Sequence, residues 1–395
     1  MHVVHQAVVW LLTLCLAAFA GYQLALVAAA RDWLRSRLAS APENKLPGIT
    51  ILKPVAGADP HLADNIRSFC RQRYPVDRFQ LLIRSSSVDD PALEIAREVG
   101  REFPEHNVQV LDARLPQPDG LNRKVCNLVA MLPNASHPFI LLSDSDMRVG
   151  PDYLRAITAP FVVNGGKGAK IGMVTAPYRG THPESLAAVF EALAIGADFL
   201  PGAFVSRRME GVKFAFGSTI VLPAALLQEC GGLEPLRNEL ADDYLLAQAV
   251  LSSGHAVVLS TEMVDDVLGA PGWRESLGRR LRWMRTVRAC RPAGHLGSVV
   301  THGWVVALTL LAVTGASPFG LWAVAFTLAL RLSAAELVGR CTQDLCVRRF
   351  KWWLPVADVV TFAIFVASVA GRTITWRGVR LRIGRGGRLI RTGNP

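Results

Sequence analysis

Two aspartates separated by one residue follow an apolar run in the middle of the chain. Residues 140–146 read ILLSDSD, so Asp144 and Asp146 come directly after three large aliphatic residues. Like charges at the end of a buried strand require a cationic partner. Carboxylates are preferred ligands of Mg²⁺ and Mn²⁺, whose coordination is often completed by substrate phosphates. A bare Asp-x-Asp pattern also arises by chance in solvated loops, so the preceding strand pattern is the feature that favours a metal site.

A second acidic pair opens the segment LADDYLLAQAV. Asp242 and Asp243 begin an apolar-periodic helix. An acidic first turn is the ordinary complement of the helix dipole. The alternative is a general base near the metal site, because a carboxylate can take the proton of an alcohol that attacks an electrophilic carbon.

The third candidate is RRLRWMRTVR, residues 279–288. It has the composition of a basic amphipathic helix on a membrane surface. Arg279 and Arg282, one turn apart and beside Trp283, also suit a diphosphate and a stacked sugar or lipid.

Alternating strands and helices must position the acidic pairs. The predicted strands are ITIL, FQLLIR, VQVLDA and FILLSD, and Asp90-Pro91 marks the start of a helix between the second and the third. This order predicts an α/β domain with a parallel sheet covered on both faces. Ligands collect at the carboxyl ends of such strands, which is where Asp144 and Asp146 lie.

Apolar segments frame this domain. Residues 7–30 carry no charge and are long enough to cross a bilayer, and arginines come immediately after them. Because MHVVHQ contains no Lys or Arg, we expect an anchor and not a cleaved signal peptide. The positive-inside rule then places the residues after Arg31 in the cytosol. Residues 299–332 predict two short helices, and 352–371 is a further membrane, re-entrant or interfacial segment.

Composition agrees with the presence of membrane segments. Of 395 residues, 51% are hydrophobic, and the formal net charge is +11. An arginine-rich tail supplies much of this excess and comes after an apolar stretch, which favours an anionic lipid surface over nucleic acid. The seven scattered cysteines show no metal-finger spacing and indicate a reducing compartment.

An ordered set of motifs resembles a known family. The segments ILKPVAG, NRKVCNL, DSDMRVGPDYL, FGSTIVL, LADDY and RRLRW occur in this order. They resemble the ceramide glucosyltransferases, inverting glycosyltransferases with a GT-A-type, Rossmann-like α/β fold. The stretch LRWMRTVRACRPAGHLGSVVTH is similar to a bacterial branch associated with hopanoid biosynthesis.

The resemblance implies roles for these residues. Asp144 and Asp146 would hold Mg²⁺ or Mn²⁺ against the diphosphate of a UDP-sugar, and Asp243 would deprotonate the acceptor hydroxyl. Further donor contacts are implied for a larger group. The residues of this group are Lys53, Pro54, Arg123, Lys124, Arg279 and Arg282, and Trp283, beside them in the motif, would line the acceptor side. Arg123 and Lys124 could equally be ordinary surface charges.

One position departs from the family pattern. Ser87 stands where the family usually has an aspartate that contacts the nucleotide base. The departure puts that contact in question, and Asp90 already has a helix-capping role.

We therefore expect a multi-pass protein of a bacterial inner membrane with a cytosolic catalytic domain. The expected parts are an anchor (1–40), a GT-A domain with an interfacial helix (41–290), a C-terminal membrane region (291–371) and a basic cytosolic tail (372–395). The expected reaction moves one sugar from a UDP-sugar to a ceramide or hopanoid polyol hydroxyl. The alternatives are a processive polysaccharide synthase and a non-catalytic membrane scaffold.

Overall fold

A computed structural model describes residues 2–36, 42–57, 59–114, 116, 118–163, 170–376 and 378–392. Contacts divide the chain into an α/β unit (Ser36–Arg179, Glu210–Gly269 and Arg380–Pro395) and a helical unit (Met1–Arg35, Gly180–Met209 and Ala270–Val379). Each unit is made of three segments that alternate along the sequence, whereas each expected domain is one continuous segment. The expected linear boundaries stay a prediction.

The strands include all four that the sequence predicts, each within a few residues. The strands of the described residues are β1 (Ile49–Pro54), β2 (Phe79–Arg84), β3 (Asn107–Val110), β4 (Phe139–Leu142), β5 (Met147–Arg148), β6 (Ile171–Thr175), β7 (Tyr178–Pro183), β8 (Ile220–Pro223), β9 (Ala256–Leu259), β10 (Val264–Gly269), β11 (Thr373–Trp376), β12 (Val379–Ile383) and β13 (Leu389–Arg391).

The helices alternate with these strands in the α/β unit and predominate in the other. They are α1 (His2–Arg35), α2 (Leu62–Cys70), α3 (Pro91–Glu102), α4 (Arg123–Met131), α5 (Tyr153–Val163), α6 (Leu186–Ala194), α7 (Leu200–Glu210), α8 (Ala224–Glu229), α9 (Asp242–Ser252), α10 (Trp273–Cys290), α11 (Pro292–Gly297), α12 (Gly303–Val313), α13 (Pro318–Cys341), α14 (Leu345–Phe350) and α15 (Leu354–Val369).

A seven-stranded sheet with the order β3-β2-β1-β4-β8-β6-β9 forms the centre of the α/β unit. The first four strands are parallel, as predicted, but β8 is antiparallel to both of its neighbours. The four predicted strands thus form a parallel part of a mixed sheet, and β8 is an antiparallel strand that was not predicted. Ile220, the first residue of β8, pairs with Leu142, the last residue of β4. The turn before β8 consequently lies at the carboxyl edge of β4.

Both faces of this sheet are buried, which explains the unbroken apolar run before Asp144. Leu141 packs in one core cluster, and Ile140 and Leu142 pack in the cluster on the opposite face. Successive strand residues point to opposite faces, so a strand covered on both sides requires apolar residues throughout. The run therefore ends where the polar edge of the sheet begins.

Four helices of the described residues are long and apolar enough to cross a membrane. They are His2–Arg35, Leu186–Glu210, Pro318–Cys341 and Leu345–Val369. The bent pair Pro292–Thr301 and Gly303–Val313 would be a fifth span if it is counted as one. The first and the C-terminal helices were expected from the sequence, but Leu186–Glu210 was not, because charged residues interrupt its apolar pattern.

A buried arginine joins three helices of the helical unit. Arg331 of α13 donates to both carboxylate oxygens of Asp358 on α15, at 3.0 and 2.8 Å. It also donates to Asp198 and to the carbonyl oxygen of Ala197, in the π-helical turn between α6 and α7. The Arg331 side chain is only 4% exposed. Asp358, a costly charge in an apolar segment, is thus paired within the protein.

Replacement of Arg331 tests the stabilising role of this cluster. We expect Arg331→Met to lower the stability by about 3–5 kcal/mol, because it leaves the buried carboxylate of Asp358 and the partly buried carboxylate of Asp198 without their cation. The measurement is thermal unfolding of the full chain in detergent micelles. The control is Arg340→Met on the same helix, whose 63% exposed side chain pairs with Glu336; it should change the stability by less than about 0.5 kcal/mol. Equal effects of the two changes would contradict the prediction.

Candidate active site

The Asp-x-Asp pair lies at the carboxyl edge of the central strand β4. Asp144 comes after Leu142 with a single serine between them, and Asp144 and Asp146 both remain partly exposed to solvent. The backbone of the turn is fixed from a neighbouring strand, because Val267 of β10 donates its amide proton to the carbonyl oxygen of Asp146 at 3.0 Å. The predicted position of the pair at a strand end is confirmed.

Lys124 joins the two acidic pairs that the sequence singled out. Its ammonium group lies 2.7 Å from Asp144 Oδ1 and 3.4 Å from Asp242 Oδ2. Burial alone lowers the pKa of Lys124, but the charges of Asp144, Asp242 and Asp243 outweigh it and raise the pKa above its ordinary value. The lysine therefore stays protonated and offsets part of the negative charge.

Asp243 is held by two backbone amides and has a carboxyl group that is easily protonated for an aspartate. Its Oδ2 accepts from the Gly217 amide at 3.1 Å, and its Oδ1 accepts from the Tyr244 amide at 2.7 Å. Burial, with a contribution from the charge of Asp242, raises the pKa of Asp243 to about 6, although Lys124 opposes the shift. A carboxylate with this pKa is a stronger base than an exposed aspartate and is still ionised at neutral pH.

Gly217 lies against the charged groups at the turn before β8. A methyl group at its Cα would meet Lys124 Nζ at 2.9 Å and Asp144 Oδ2 at 3.0 Å. From its sequence, the FGSTI segment could equally be a loop beneath an acceptor or a tight turn. The structure places this segment at the carboxyl edge of β4, where only a glycine leaves the lysine and the carboxylate undisturbed.

Asn122 is a site residue that was not predicted from the sequence. It is fully buried and caps α4, because its Oδ1 accepts from the Val125 amide at 3.2 Å. Its Nδ2 donates to the Glu239 carbonyl at 2.9 Å and to Asp242 Oδ1 at 3.2 Å. One carboxamide thus ties the helix of Lys124 to the segment of Asp242. An asparagine directly before a helical stretch is a capping signal that sequence alone provides.

Lys53 lies beneath the Asp-x-Asp turn. It is fully buried, donates to the Asp144 carbonyl oxygen at 2.7 Å and stands 4.2 Å from the centre of the Phe69 ring. Burial lowers the pKa of Lys53 to about 7 even though Asp146 and Asp144 act to raise it. Lys53 therefore supports the turn from inside, and the buried Pro54 ends the same strand.

Two further positions of interest lie on exposed surface. Arg123 precedes Lys124 in the first turn of α4, but its side chain is exposed. Ser87 is also exposed. Asp90 caps α3 as predicted, accepting from the Ala92 amide at 3.0 Å, and it accepts a second bond from the Gly57 amide at 2.9 Å. Asp90 therefore has a structural use.

The other three predicted residues belong to the helical unit. The Arg279 Nε lies 2.9 Å from the carboxylate of Glu191, which is completely buried. The Arg282 guanidinium stands 5.2 Å from the centre of the Trp376 ring. Trp283 is half-buried on the same helix. The structure thus brings together Asp144, Asp146, Asp243, Lys124 and Lys53 in the α/β unit, and Arg279, Arg282 and Trp283 lie on α10.

A divalent cation fits the chemistry of the acidic edge but would need further ligands. Among the described residues, no group of three or more His, Cys, Asp or Glu side chains is arranged to hold a metal ion. Asp144 and Asp146 offer carboxylate oxygens, which are hard ligands suited to Mg²⁺ or Mn²⁺. A cation here would depend on phosphate oxygens or water for the remaining positions, as such sites commonly do.

Gly217→Ala tests whether the carboxyl edge of β4 is the active site. The added methyl group would displace only the ends of two side chains, Lys124 and Asp144, so we expect an unchanged unfolding temperature. We expect sugar transfer, the activity that the resemblance implies, to fall about tenfold or more, since small displacements of reacting groups are costly. Activity and thermal unfolding of the purified chain are the two measurements.

The matched control is Gly297→Ala. A methyl group at the Cα of Gly297 would meet no atom within 4 Å, and the backbone φ of this residue is −61°. The variant should keep both activity and stability. Full activity in Gly217→Ala would show that this edge does not carry the chemistry.

Comparison with known proteins places the chain in a family. The sequence profile described as "Glycosyl transferase family 21" matches residues 9–389. Ceramide glucosyltransferase 1 of Caenorhabditis elegans is 29% identical over 367 residues, which covers 88% of this chain and 74% of that protein. Ceramide glucosyltransferase 3 of the same organism is 22% identical over 88% of this chain and 75% of its own length.

A solved structure agrees with the fold. The mannosyltransferase PcManGT of Pyrobaculum calidifontis, in complex with GDP-Man and Mn²⁺, superposes with a TM-score of 0.52. The two proteins share 17% identity, and the superposition covers 92% of this chain and 99% of the other. The predicted GT-A-type α/β fold and glycosyltransferase class are confirmed. The chain is a membrane glycosyltransferase and belongs to glycosyl transferase family 21.

Proposed function

We propose that the protein transfers a single sugar from a UDP-sugar to the hydroxyl of a membrane lipid, with inversion at the sugar carbon. The observation that carries the proposal is the cluster of Asp144, Lys124 and Asp243 at the carboxyl edge of β4. Its acidic groups can hold a cation, which in turn can bind the donor diphosphate. Its carboxylate of raised pKa, Asp243, can accept the proton of the acceptor hydroxyl.

Asp243 is the proposed catalytic base. Its two amide hydrogen bonds hold the carboxylate in one orientation, and its raised pKa favours acceptance of the acceptor's hydroxyl proton as oxygen attacks the sugar carbon. One displacement of this kind inverts the configuration of that carbon. Lys124, which contacts both Asp144 and Asp242, limits the repulsion among the carboxylates before the donor binds.

Asp144 and Asp146 would hold the divalent cation, Mg²⁺ or Mn²⁺, against the donor diphosphate. Such an ion, when bound, offsets the charge that develops on the departing UDP. The buried Lys53 fixes the backbone of Asp144, and we propose that Lys53-Pro54 flanks the uridine. Arg123, whose side chain is exposed, is proposed as a further donor contact.

Arg279 and Arg282 are proposed to stabilise the leaving diphosphate, with Trp283 on the acceptor side. Arginine forms bidentate bonds with phosphate, and a tryptophan face suits a sugar or lipid. Arg279 already pairs with the buried Glu191, which orients its guanidinium. The assignment of these three residues rests on their match to the family motif.

The proposed acceptor is argued from the relatives and from the membrane helices. The two nematode relatives are ceramide glucosyltransferases, and this supports ceramide as the acceptor and glucose as the donated sugar. A hopanoid polyol, with N-acetylglucosamine as the sugar, is the second candidate, favoured by the motif resemblance of residues 281–302. Both are hydroxyl-bearing lipids, and the same base would serve either.

We propose that the catalytic groups face the cytosol of a bacterium and that the protein resides in its inner membrane. The arginines after α1 and in the C-terminal tail support this orientation by the positive-inside rule. The tail would contact anionic lipid and not nucleic acid.

Two other functions use the same fold. A processive polysaccharide synthase would make polymer and needs an export channel, for which the C-terminal apolar region is short. A non-catalytic scaffold would keep its role without turnover, and the serine at position 87 is its only support.

Product analysis separates these functions. Membranes containing the protein are incubated with UDP-glucose or UDP-N-acetylglucosamine, with Mg²⁺ or Mn²⁺, and with ceramide and bacteriohopanetetrol side by side. We expect mass spectrometry to find one lipid carrying one sugar. Asp243→Asn should reduce its formation by about 10²- to 10⁴-fold without unfolding the protein. Polymer would favour the synthase, and no product from any pairing would contradict the proposal.

The pH dependence of kcat/KM tests the base. Asp243 acts as a base only when ionised, so activity should be present above about pH 6 and fall as the pH drops through that value. Burial is the main cause of the raised pKa of Asp243; of the charged groups that face it, Asp242 and Asp144 raise this pKa further and Lys124 lowers it. Asp243→Asn should abolish the acidic limb of the profile. A wild-type rate that is constant down to pH 4.5 (about 1.5 units below the expected pKa) would exclude this role.

A further inference from the structure

The C-terminal basic tail forms a β-hairpin in the α/β unit. Strand β12 pairs antiparallel with β13, with Ile383 opposite Leu389. Leu381, Ile383 and Leu389 are buried, at 2–3% exposure. The tail is thus anchored by an apolar core, which a simple juxtamembrane charge cluster does not require.

The turn of this hairpin contacts the segment that leads to the proposed base. The Leu240 amide donates to the Gly387 carbonyl oxygen at 3.1 Å, and Glu239 forms an isolated β-bridge with Arg388. Gly386 and Gly387 both have positive φ, at 68° and 97°. This conformation favours glycine and presents the Gly387 carbonyl to Leu240.

The opposite side of the same segment is fixed by Asn122. Its side chain donates to the Glu239 carbonyl oxygen, and the Leu121 amide donates to Asn238 Oδ1 at 3.0 Å. Residues 238–240 are therefore hydrogen-bonded from both sides, directly before Asp242 and Asp243. Loosening the hairpin removes one of the two sets of bonds that set the position of the base.

The exposed surface of the hairpin is strongly basic. Five arginines of the hairpin are exposed, and none of them forms a side-chain ion pair with a described residue. These are Arg380, Arg382, Arg385, Arg388 and Arg391. Residues 372–392 contain no acidic residue. The surface therefore suits an extended anionic partner, and we infer phospholipid phosphates as that partner, because the candidate membrane span Leu345–Val369 ends shortly before the hairpin begins in the sequence.

Membrane attachment alone does not account for this surface. The described residues already contain four helices long and apolar enough to span a bilayer, so the arginines are not needed as an anchor. Their distinguishing feature is the contact of the hairpin with the segment of the base. An anion bound to the arginines would stabilise the docked hairpin and, through it, residues 238–243.

We propose that the hairpin is an anionic-lipid-binding element that positions Asp242 and Asp243, so that acidic phospholipid increases turnover and not merely attachment. The inference rests on the proposed function for its activity readout. A second readout, amide hydrogen exchange at residues 237–243, does not depend on the substrates being correct.

The experiment uses the full chain reconstituted in vesicles of phosphatidylcholine, with or without phosphatidylglycerol. We expect kcat in the vesicles with phosphatidylglycerol to be about fivefold higher than in vesicles of phosphatidylcholine alone, which is a modest allosteric effect. We expect exchange at 237–243 to slow in parallel and both effects to shrink at high salt. The triple change Arg380→Gln, Arg382→Gln and Arg385→Gln should remove both effects, so that kcat and the exchange rate at 237–243 are nearly the same with and without phosphatidylglycerol.

The matched control changes three exposed arginines elsewhere in the α/β unit, Arg71, Arg97 and Arg114, to Gln. It removes the same charge and should keep the response to phosphatidylglycerol. An equal response in both triple variants would overturn the proposal, as would protection of the hairpin alone without any change at 237–243. If the hairpin variant raises the KM for the UDP-sugar, and the wild-type protein does not respond to phosphatidylglycerol, the arginines bind the donor. This result would also overturn the proposal. Loss of all turnover with the exchange response intact would contradict the proposed function but support the hairpin inference.

Discussion

The concentration of negative charge at the carboxyl edge of β4 is the constraint on which the site depends. Asp144, Asp146, Asp242 and Asp243 gather there, and Lys124 is the cation that contacts two of them. Without it, the repulsion among closely placed carboxylates would favour protonation or separation of the loops. The sheet supplies the rigid edge, and the glycine turn before β8 leaves room for the lysine.

Much of this arrangement can be inferred from sequence pattern. The apolar run before Asp144 indicates a doubly covered strand, and α/β topology predicts a ligand at the end of such a strand. The position of Lys124 cannot be inferred in this way, because a lysine in a helical first turn has no pattern that distinguishes burial from exposure. Its neighbour Arg123 is also a basic residue in the first turn of α4, and its side chain is exposed. Only the three-dimensional packing of α4 against the segment before α9 separates the two.

The departures from expectation have physical causes. The antiparallel β8 could not be inferred, because its short apolar sequence is compatible with either direction and its partners are distant in the chain. Leu186–Glu210 was missed because Glu191 and Asp198 interrupt its apolar pattern; Arg279 and Arg331 pair with those charges within the helical unit. Likewise, α10 has the composition of a surface helix, yet Arg285 and Arg288 donate to carbonyl oxygens at the end of α15 and beyond.

Asn122 links two stretches of the chain that are more than one hundred residues apart in the sequence. Its single carboxamide accepts one bond and donates two, so aspartate would lack the donors and serine would lack the reach. No substitution confined to that position preserves all three bonds. Two of these bonds go to backbone atoms and constrain the path of the loop before α9 and the start of α4, whereas the third goes to the Asp242 carboxylate, so Asp242 is the residue whose identity is coupled to that of Asn122.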